Sequence, residues 1–282
     1  MSSLLFDTPG PKARARHRIY TVISLLVLAA LATVVVLKLI HEEVLTATVF
    51  NDTFQNSSVT YLLEGLVETI KAAALAIVAA LVLGALLAVA RLSDHAFVRW
   101  PATAFIEFFR AVPLVLLMIF LSFTFFLDSP LTAVVVALML YNGSVLAEVF
   151  RAGINAVQKG QSEAAYALGM RKFQVMGIVL MPQAVRFMLP AIISQCVIVL
   201  KDTSLGYVIL YEEVIRRGRT VAQSVNEGTI LVYFTIALVF IVINYSLSKL
   251  AEYVERRLAR RGVATDKPLG AANIGEVSGR GA

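Results

Sequence analysis

The chain has 282 residues, of which 59% are hydrophobic and only 16% charged, with a mean hydropathy of +0.79. Soluble domains sit nearer half apolar and a quarter charged, so an ordinary soluble domain is excluded. The net charge of +6 is then a matter of where Lys and Arg sit between apolar blocks, and no nucleic acid is expected as a partner.

Residues 1–18 are polar and carry a basic cluster of Lys12, Arg14, Arg16 and Arg18. Residues 19–40 form the first apolar block. It is longer than a cleaved signal core and reads as a retained spanning helix. The segment 41–58 is polar and slightly acidic, with Glu42, Glu43 and Asp52. Residues 59–91 predict a long second helix whose first turns are amphipathic, because Glu64, Glu68 and Lys71 share a face. Apolar blocks follow at 101–127, 131–151, 173–200 and 227–250. Each reaches the roughly 20 residues that cross a bilayer as helix. From 251 a charged helix end gives way to a Gly/Ala-rich tail, and disorder is expected over 256–282. The fold class is therefore an all-α polytopic membrane protein with about six transmembrane helices.

Lys and Arg collect in cytoplasmic segments. With the N-terminus inside, 1–18, 91–100, 151–172 and 249–282 are cytoplasmic and rich in these residues, whereas 41–58 and 128–130 contain none. Both termini are thus expected in the cytoplasm. The segment 201–226 is an exception, with Lys201, Arg216, Arg217 and Arg219 set against Asp202, Glu212 and Glu213. Cys196 is the only cysteine, so one chain cannot build a disulfide or a Cys-based metal site. His17, His41 and His95 lie near separate membrane ends, which argues against a shared metal site. Neither HExxH nor GxSxG occurs, and no catalytic residue is assigned.

The segment 151–172 (RAGINAVQKGQSEAAYALGMRK) is too polar for hydrocarbon. Residues 161–168 predict a short helix. Glu163 is placed in its first turn, where an anion suits the dipole, and Ala164, Ala165 and Leu168 are placed on one narrow apolar face. Gly169 ends the helix or permits close approach. A connector lying on the membrane surface is one reading. Such a helix normally shows bulky apolar residues opposite Lys and Arg, so the alanines argue instead for a socket on another protein.

Glu163-Ala164-Ala165, then Gly169, Val179 and Met181-Pro182 resemble the EAA loop of ATP-binding-cassette importer permeases, with Val179 and Met181 where Ile and Leu are usual. LLEGLVETI at 62–70, EFFRAVPLVLL at 107–117, AEVFRAGINAVQKGQSEAAYALGM at 147–170, LMPQAVRFMLP at 180–190 and LKDTSL at 200–205 resemble the polar amino-acid permeases. The likeness is nearest to actinobacterial glutamate permease subunits. In the second of these motifs Ala111-Val112 replaces the usual Gly-Thr, which suggests a stiffer local helix. The resemblance covers about 59–255. It implies a five-helix permease core, with 19–40 an extra helix, in the bacterial inner (plasma) membrane.

The resemblance also implies partners: a cytoplasmic ATPase dimer, a second permease subunit, which is a second copy of this chain or, the favoured reading, a different one, and an extracytoplasmic substrate-binding protein. Gly160, Glu163, Ala164, Ala165, Leu168 and Gly169 would form the coupling helix. The chain has no GxxxxGK[ST] loop, so no cofactor is expected in it, and ATP and Mg would be bound by the partner ATPase.

Polar groups inside the membrane are functional candidates by default. Arg110 and Arg186 could bind a substrate carboxylate through the planar guanidinium fork. Asn142, Glu148 and Gln195 could serve the other end of an amino acid. The i,i+3 pairs Glu107–Arg110 and Glu148–Arg151 could equally neutralise themselves. Lys201, Asp202, Thr203 and Ser204 could close an outer gate or cap the next short helix. Pro113, Pro182 and Pro190 are hinge candidates. An ion-gradient-driven amino-acid transporter is the alternative, and it would need no ATPase-docking loop.

Overall fold

A computed structural model describes residues 10–41, 46–225 and 228–262. Glu42, Glu43, the side chains of Lys12 and Arg14, and the tail beyond 262 lie outside the described residues. The helices, in order, are α1 (Pro11–His41), α2 (Ala47–Thr53), α3 (Asn56–Arg91), α4 (Ala96–Ala111), α5 (Leu114–Thr124), α6 (Pro130–Asn155), α7 (Lys159–Ala167) and α8 (Lys172–Gln174). A π-helical segment (Val175–Leu180) joins α8 to α9 (Met181–Asp202). A 3-10 helix (Thr203–Ile209), α10 (Val214–Ser224) and α11 (Thr229–Gly262) follow. There is no strand among the described residues. Among the described residues five helical stretches are long and apolar enough to cross a membrane, and the α4–α5 pair makes six if its two arms form one span.

The chain forms two compact units. One runs to Thr60 and includes Arg219–Phe234; the other comprises Tyr61–Gly218 and the chain from Thr235. In the first unit α1 exposes its apolar side chains on every face, the pattern of a helix solvated by lipid. The segment read as a polar loop holds the short helix α2. Its Thr53 is buried, and a Cβ on Gly228 would approach its Oγ1 to 3.1 Å.

The second unit is built around α6, which packs against α4, α5 and α9. Its partner α3 spans about 54 Å at 1.5 Å per residue, well beyond the hydrocarbon layer. The buried stripe of α3 is Gly65, Thr69, Ala72, Ala73, Ala76, Ala80, Gly84 and Ala88, whereas Leu63, Val67, Leu75, Val78, Val82, Leu86 and Val89 are exposed. Small residues inside and bulky ones outside is the arrangement membranes favour, since close backbone approach replaces the missing hydrophobic drive. The tightest crossing is at Gly84, where a Cβ would come within 2.9 Å of the Gly143 carbonyl. Ala72 and Ala76 join Leu117, Met118, Leu121, Val134 and Leu138 in the main core. Ala88, Ile106 and Ala147 form a second core where α3, α4 and α6 meet.

Three expectations change here. The block 101–127 is not one continuous helix: α4 and α5 are bent by 101°. Val112 is extended (φ −76°, ψ 129°), as the residue before a proline tends to be, and Pro113 caps α5. The Ala-Val replacement therefore does not stiffen this place. The charged helix end expected after 251 runs on to Gly262, past 256, where the disordered tail is expected to begin. Thr203 and Ser204 cap no new helix, because the 3-10 turn continues directly from α9 without a side-chain cap, and Thr203 Oγ1 donates back to the Leu200 carbonyl (2.6 Å).

Candidate functional site

The polar loop carries α7, and its C-terminus closes over a left-handed glycine. Gly169 has φ +76°. Its N–H donates to the Tyr166 carbonyl (2.9 Å) and that of Met170 to the Ala165 carbonyl (3.3 Å). This paired closure requires a residue that tolerates positive φ, as the sequence suggests. Two details differ from expectation. The helix begins at Lys159, so Glu163 lies in its second turn, outside the reach of the N-terminal dipole. Ala164, Ala165 and Leu168 also do not share one face: Ala165 is buried (4% exposed) while Leu168 is 83% exposed, and Ala164 is exposed. The outward row is Gly160, Ala164 and Leu168 at i,i+4 spacing, with Glu163 beside it. Phe173, just past the loop, is also exposed. Gln183 of α9 donates to Gln161 of α7 (3.3 Å) and to the Val179 carbonyl (2.9 Å). The loop helix is thus tied to the π segment, which closes just before Pro182 with Met181 N–H bonded to the Met176 carbonyl.

The charged candidates inside the spans form a chain. Arg110 pairs with Glu107 (3.6 Å) and Arg151 with Glu148 (2.8 Å), the i,i+3 pairs visible in the sequence. Arg91, at the end of α3, joins them: it pairs with Glu148 and, at 3.3 Å, with Glu107. Sequence reading missed Arg91, because an arginine ending an apolar block carries no signal of a partner in a distant helix. Asn142 and Gln195 are buried and bonded to each other, Gln195 Nε2 donating to Asn142 Oδ1 (2.6 Å) while Asn142 Nδ2 donates to the Leu138 carbonyl (3.0 Å). Arg186 is exposed on α9 and is not joined to either group among the described residues. Lys201 is exposed, Asp202 and Ser204 are half-buried, and Thr203 is buried. Pro190 sits inside α9, and Pro182 in its first turn.

The first turns of α3 meet the segment 211–217. Tyr211 donates its hydroxyl to the Glu68 carboxylate (3.0 Å) and carbonyl (2.9 Å), and Val214 N–H donates to Thr69 Oγ1 (3.2 Å). Arg217 pairs with Glu64, and Arg216 with Glu212 (3.3 Å). The apparent exception to the charge rule is thus partly neutralised within the fold. Glu213 is buried and caps α10, accepting the N–H groups of Ile215 (2.9 Å) and Arg216 (2.7 Å). Burial pushes its carboxyl up to about 7, against the pull of those two amides.

Residues 80–260 match the family described as "Binding-protein-dependent transport system inner membrane component". The chain belongs to this family. It is an integral inner-membrane permease component of a transporter. The glutamate transport system permease protein GluD of Corynebacterium glutamicum is 46% identical over 220 residues, covering 74% of this chain and 80% of that protein. The glutamate/aspartate import permease protein GltK of Escherichia coli is 36% identical over 214 residues, 72% of this chain and 95% of that one. Among solved structures, an amino acid ABC transporter with histidines superposes with a TM-score of 0.67 at 31% identity, covering 71% of this chain and 95% of its own. The MetNI methionine ABC transporter shares the fold, with a TM-score of 0.58 at 18% identity over 71% of this chain and 99% of its own.

Proposed function

We propose that this chain is the permease subunit of an ATP-driven importer of glutamate or another polar amino acid. The residues 59–255 would form the transport domain and α1 an accessory span. The observation that carries the reading is α7: a short helix held between two spans, tied back to α9 through Gln183 and Gln161, with Gly160, Glu163, Ala164 and Leu168 turned outward. The small-residue row admits close approach of a partner, and Leu168 supplies an apolar anchor. A cytoplasmic ATPase dimer would seat there, bind ATP and Mg, and perform all the hydrolysis. A second permease subunit, most simply a different chain, and an extracytoplasmic binding protein complete the assembly. The Lys and Arg distribution supports cytoplasmic termini.

For the substrate path, Arg186 and Arg110 remain the cations able to meet a carboxylate. The mutual bonds of Asn142 and Gln195 favour a role in joining α6 to α9. Lys201 and Asp202 end α9 and Thr203 and Ser204 begin the 3-10 turn, where an outer gate would act. Pro113 is the hinge best supported by geometry, since the α4–α5 bend occurs there.

The test is reconstitution of the permease with its ATPase and binding protein, followed by uptake of a panel of amino acids. ATP-dependent accumulation of glutamate supports the reading. Uptake that follows an ion gradient and ignores ATP identifies the rival secondary transporter.

A further inference from the structure

The turn between α3 and α4, residues 92–95, is fastened to both flanks of α7. Arg91, immediately before the turn, pairs with Glu148 of α6, on the N-terminal side of α7. Asp94, within it, pairs with Lys172 at the start of α8, on the C-terminal side. The two partners lie 57 and 78 residues away in sequence, so neither tie is a local accident of helix spacing.

The turn is braced. Ser93 N–H donates to the Ala90 carbonyl (3.2 Å) and His95 N–H to Ser93 Oγ (3.3 Å). Arg99, in the first turn of α4, donates to the carbonyls of Ser93 (3.1 Å) and Asp94 (3.3 Å). A displacement entering the turn is therefore carried into α4 rather than absorbed, and Arg91 grips α4 again at Glu107.

When either tie opens, its carboxylates keep a cation or solvent. Glu148 keeps Arg151 and Glu107 keeps Arg110 when Arg91 withdraws, so no carboxylate is stranded without a cation, which is the expensive outcome for a shielded pair. Asp94 and Lys172 are exposed, where an ion pair adds little to stability and its value is geometric. Lys172 beside Asp94 holds that carboxyl below the usual range.

We infer that Arg91 and Asp94 are positioning residues that clamp the α3–α4 turn to both flanks of α7, so that movement of α7 is delivered to α4 and the bend at Pro113 as well as to α6 and α9. This rests on the reading of α7 as the ATPase-docking helix. It adds a second output, through α3 and α4, that the coupling helix itself does not reveal.

The experiment measures amino-acid uptake per ATP hydrolysed by the complete complex in proteoliposomes, both read from the same vesicles. Asp94→Lys and Lys172→Asp, at exposed positions that do not threaten folding, are each expected to lower the ratio at least threefold. The double swap should return it to within twofold of wild type. Arg91→Gln should lower it similarly, and Arg91→Lys should recover part of the loss. Single reversals with a wild-type ratio, or a swap that stays as low as the singles, overturn the clamp while leaving the importer reading intact. Wild-type uptake that does not depend on ATP overturns both.

Discussion

The guanidinium of Arg217 lies 4.5 Å above the ring of Tyr61 and pairs with Glu64, one turn further along the same helix. One arginine therefore staples the start of α10 to the start of α3. Its planar guanidinium stacks on the ring while its N–H groups reach the carboxylate, a geometry that an ammonium reproduces less well. Arg217→Gln is expected to cost about 2 kcal/mol, the scale of a desolvated cation–π contact, and Arg217→Lys to recover less than half of it. Thermal denaturation of the purified chain in detergent reads both, and an unchanged melting curve would remove the staple.

Close backbone approach holds α3 at two more points. A Cβ on Gly65 would stand 2.9 Å from Val214 Cα, and one on Gly84 would stand 2.9 Å from the Gly143 carbonyl. Backbone atoms cannot swing aside as a flexible side chain does. Gly65→Val and Gly84→Val should each lose about 1–3 kcal/mol through overpacking. Gly160→Ala, with nothing within 4 Å of the added carbon, should lose none. The same denaturation series compares the three.

Burial of Glu213 predicts a pH-dependent stability. Its carboxyl titrates near 7 in the fold against an ordinary 4.5, so the folded chain favours the neutral acid. Its contribution to stability is full below pH 4.5, declines as pH rises toward 7, and stays low above it, a change on the order of 3 kcal/mol. Glu213→Gln removes that decline. Relative to wild type, the variant should gain stability between pH 5 and pH 8. A constant difference across that range would show that Glu213 titrates normally.

The outward row of α7 predicts a separation of assembly from insertion. Gly160→Trp meets open space within this chain and should insert and melt like wild type while failing to bind the ATPase. Glu163→Lys should likewise abolish uptake and leave insertion intact. Gly169→Val adds strain at φ +76°, about 1–2 kcal/mol for an L residue in the left-handed region, and should lose both uptake and some stability. Co-purification of the ATPase, with uptake in the same preparation, checks all three. A Gly160→Trp complex that assembles and transports would mean that this row faces no partner.

The sequence alone determined the class, the approximate span count, the polar loop with its helix, and the family. Each follows from local quantities: block length, residue spacing and a contiguous motif that needs no fold to be recognised. It also placed Gly169 at the helix end, because a left-handed closure strongly selects its residue type. What only the tertiary structure decided is which side chains meet. The i,i+3 pairs of Glu107 and Glu148 were readable, but Arg91 could be joined to them only once the Gly84–Gly143 crossing set α3 against α6. The bend at Val112–Pro113 needed the packing of α4 and α5 on α6 to choose between a kinked span and a broken one. Apolar periodicity misjudged the face of α7, since small residues face inward wherever backbones must approach, and no spacing rule says which neighbour that will be. The α3–α4 turn shows the limit most plainly. Arg91 and Asp94 read as ordinary polar residues at a helix end, and their partners Glu148 and Lys172, respectively 57 and 78 residues away, are brought to them only by the fold.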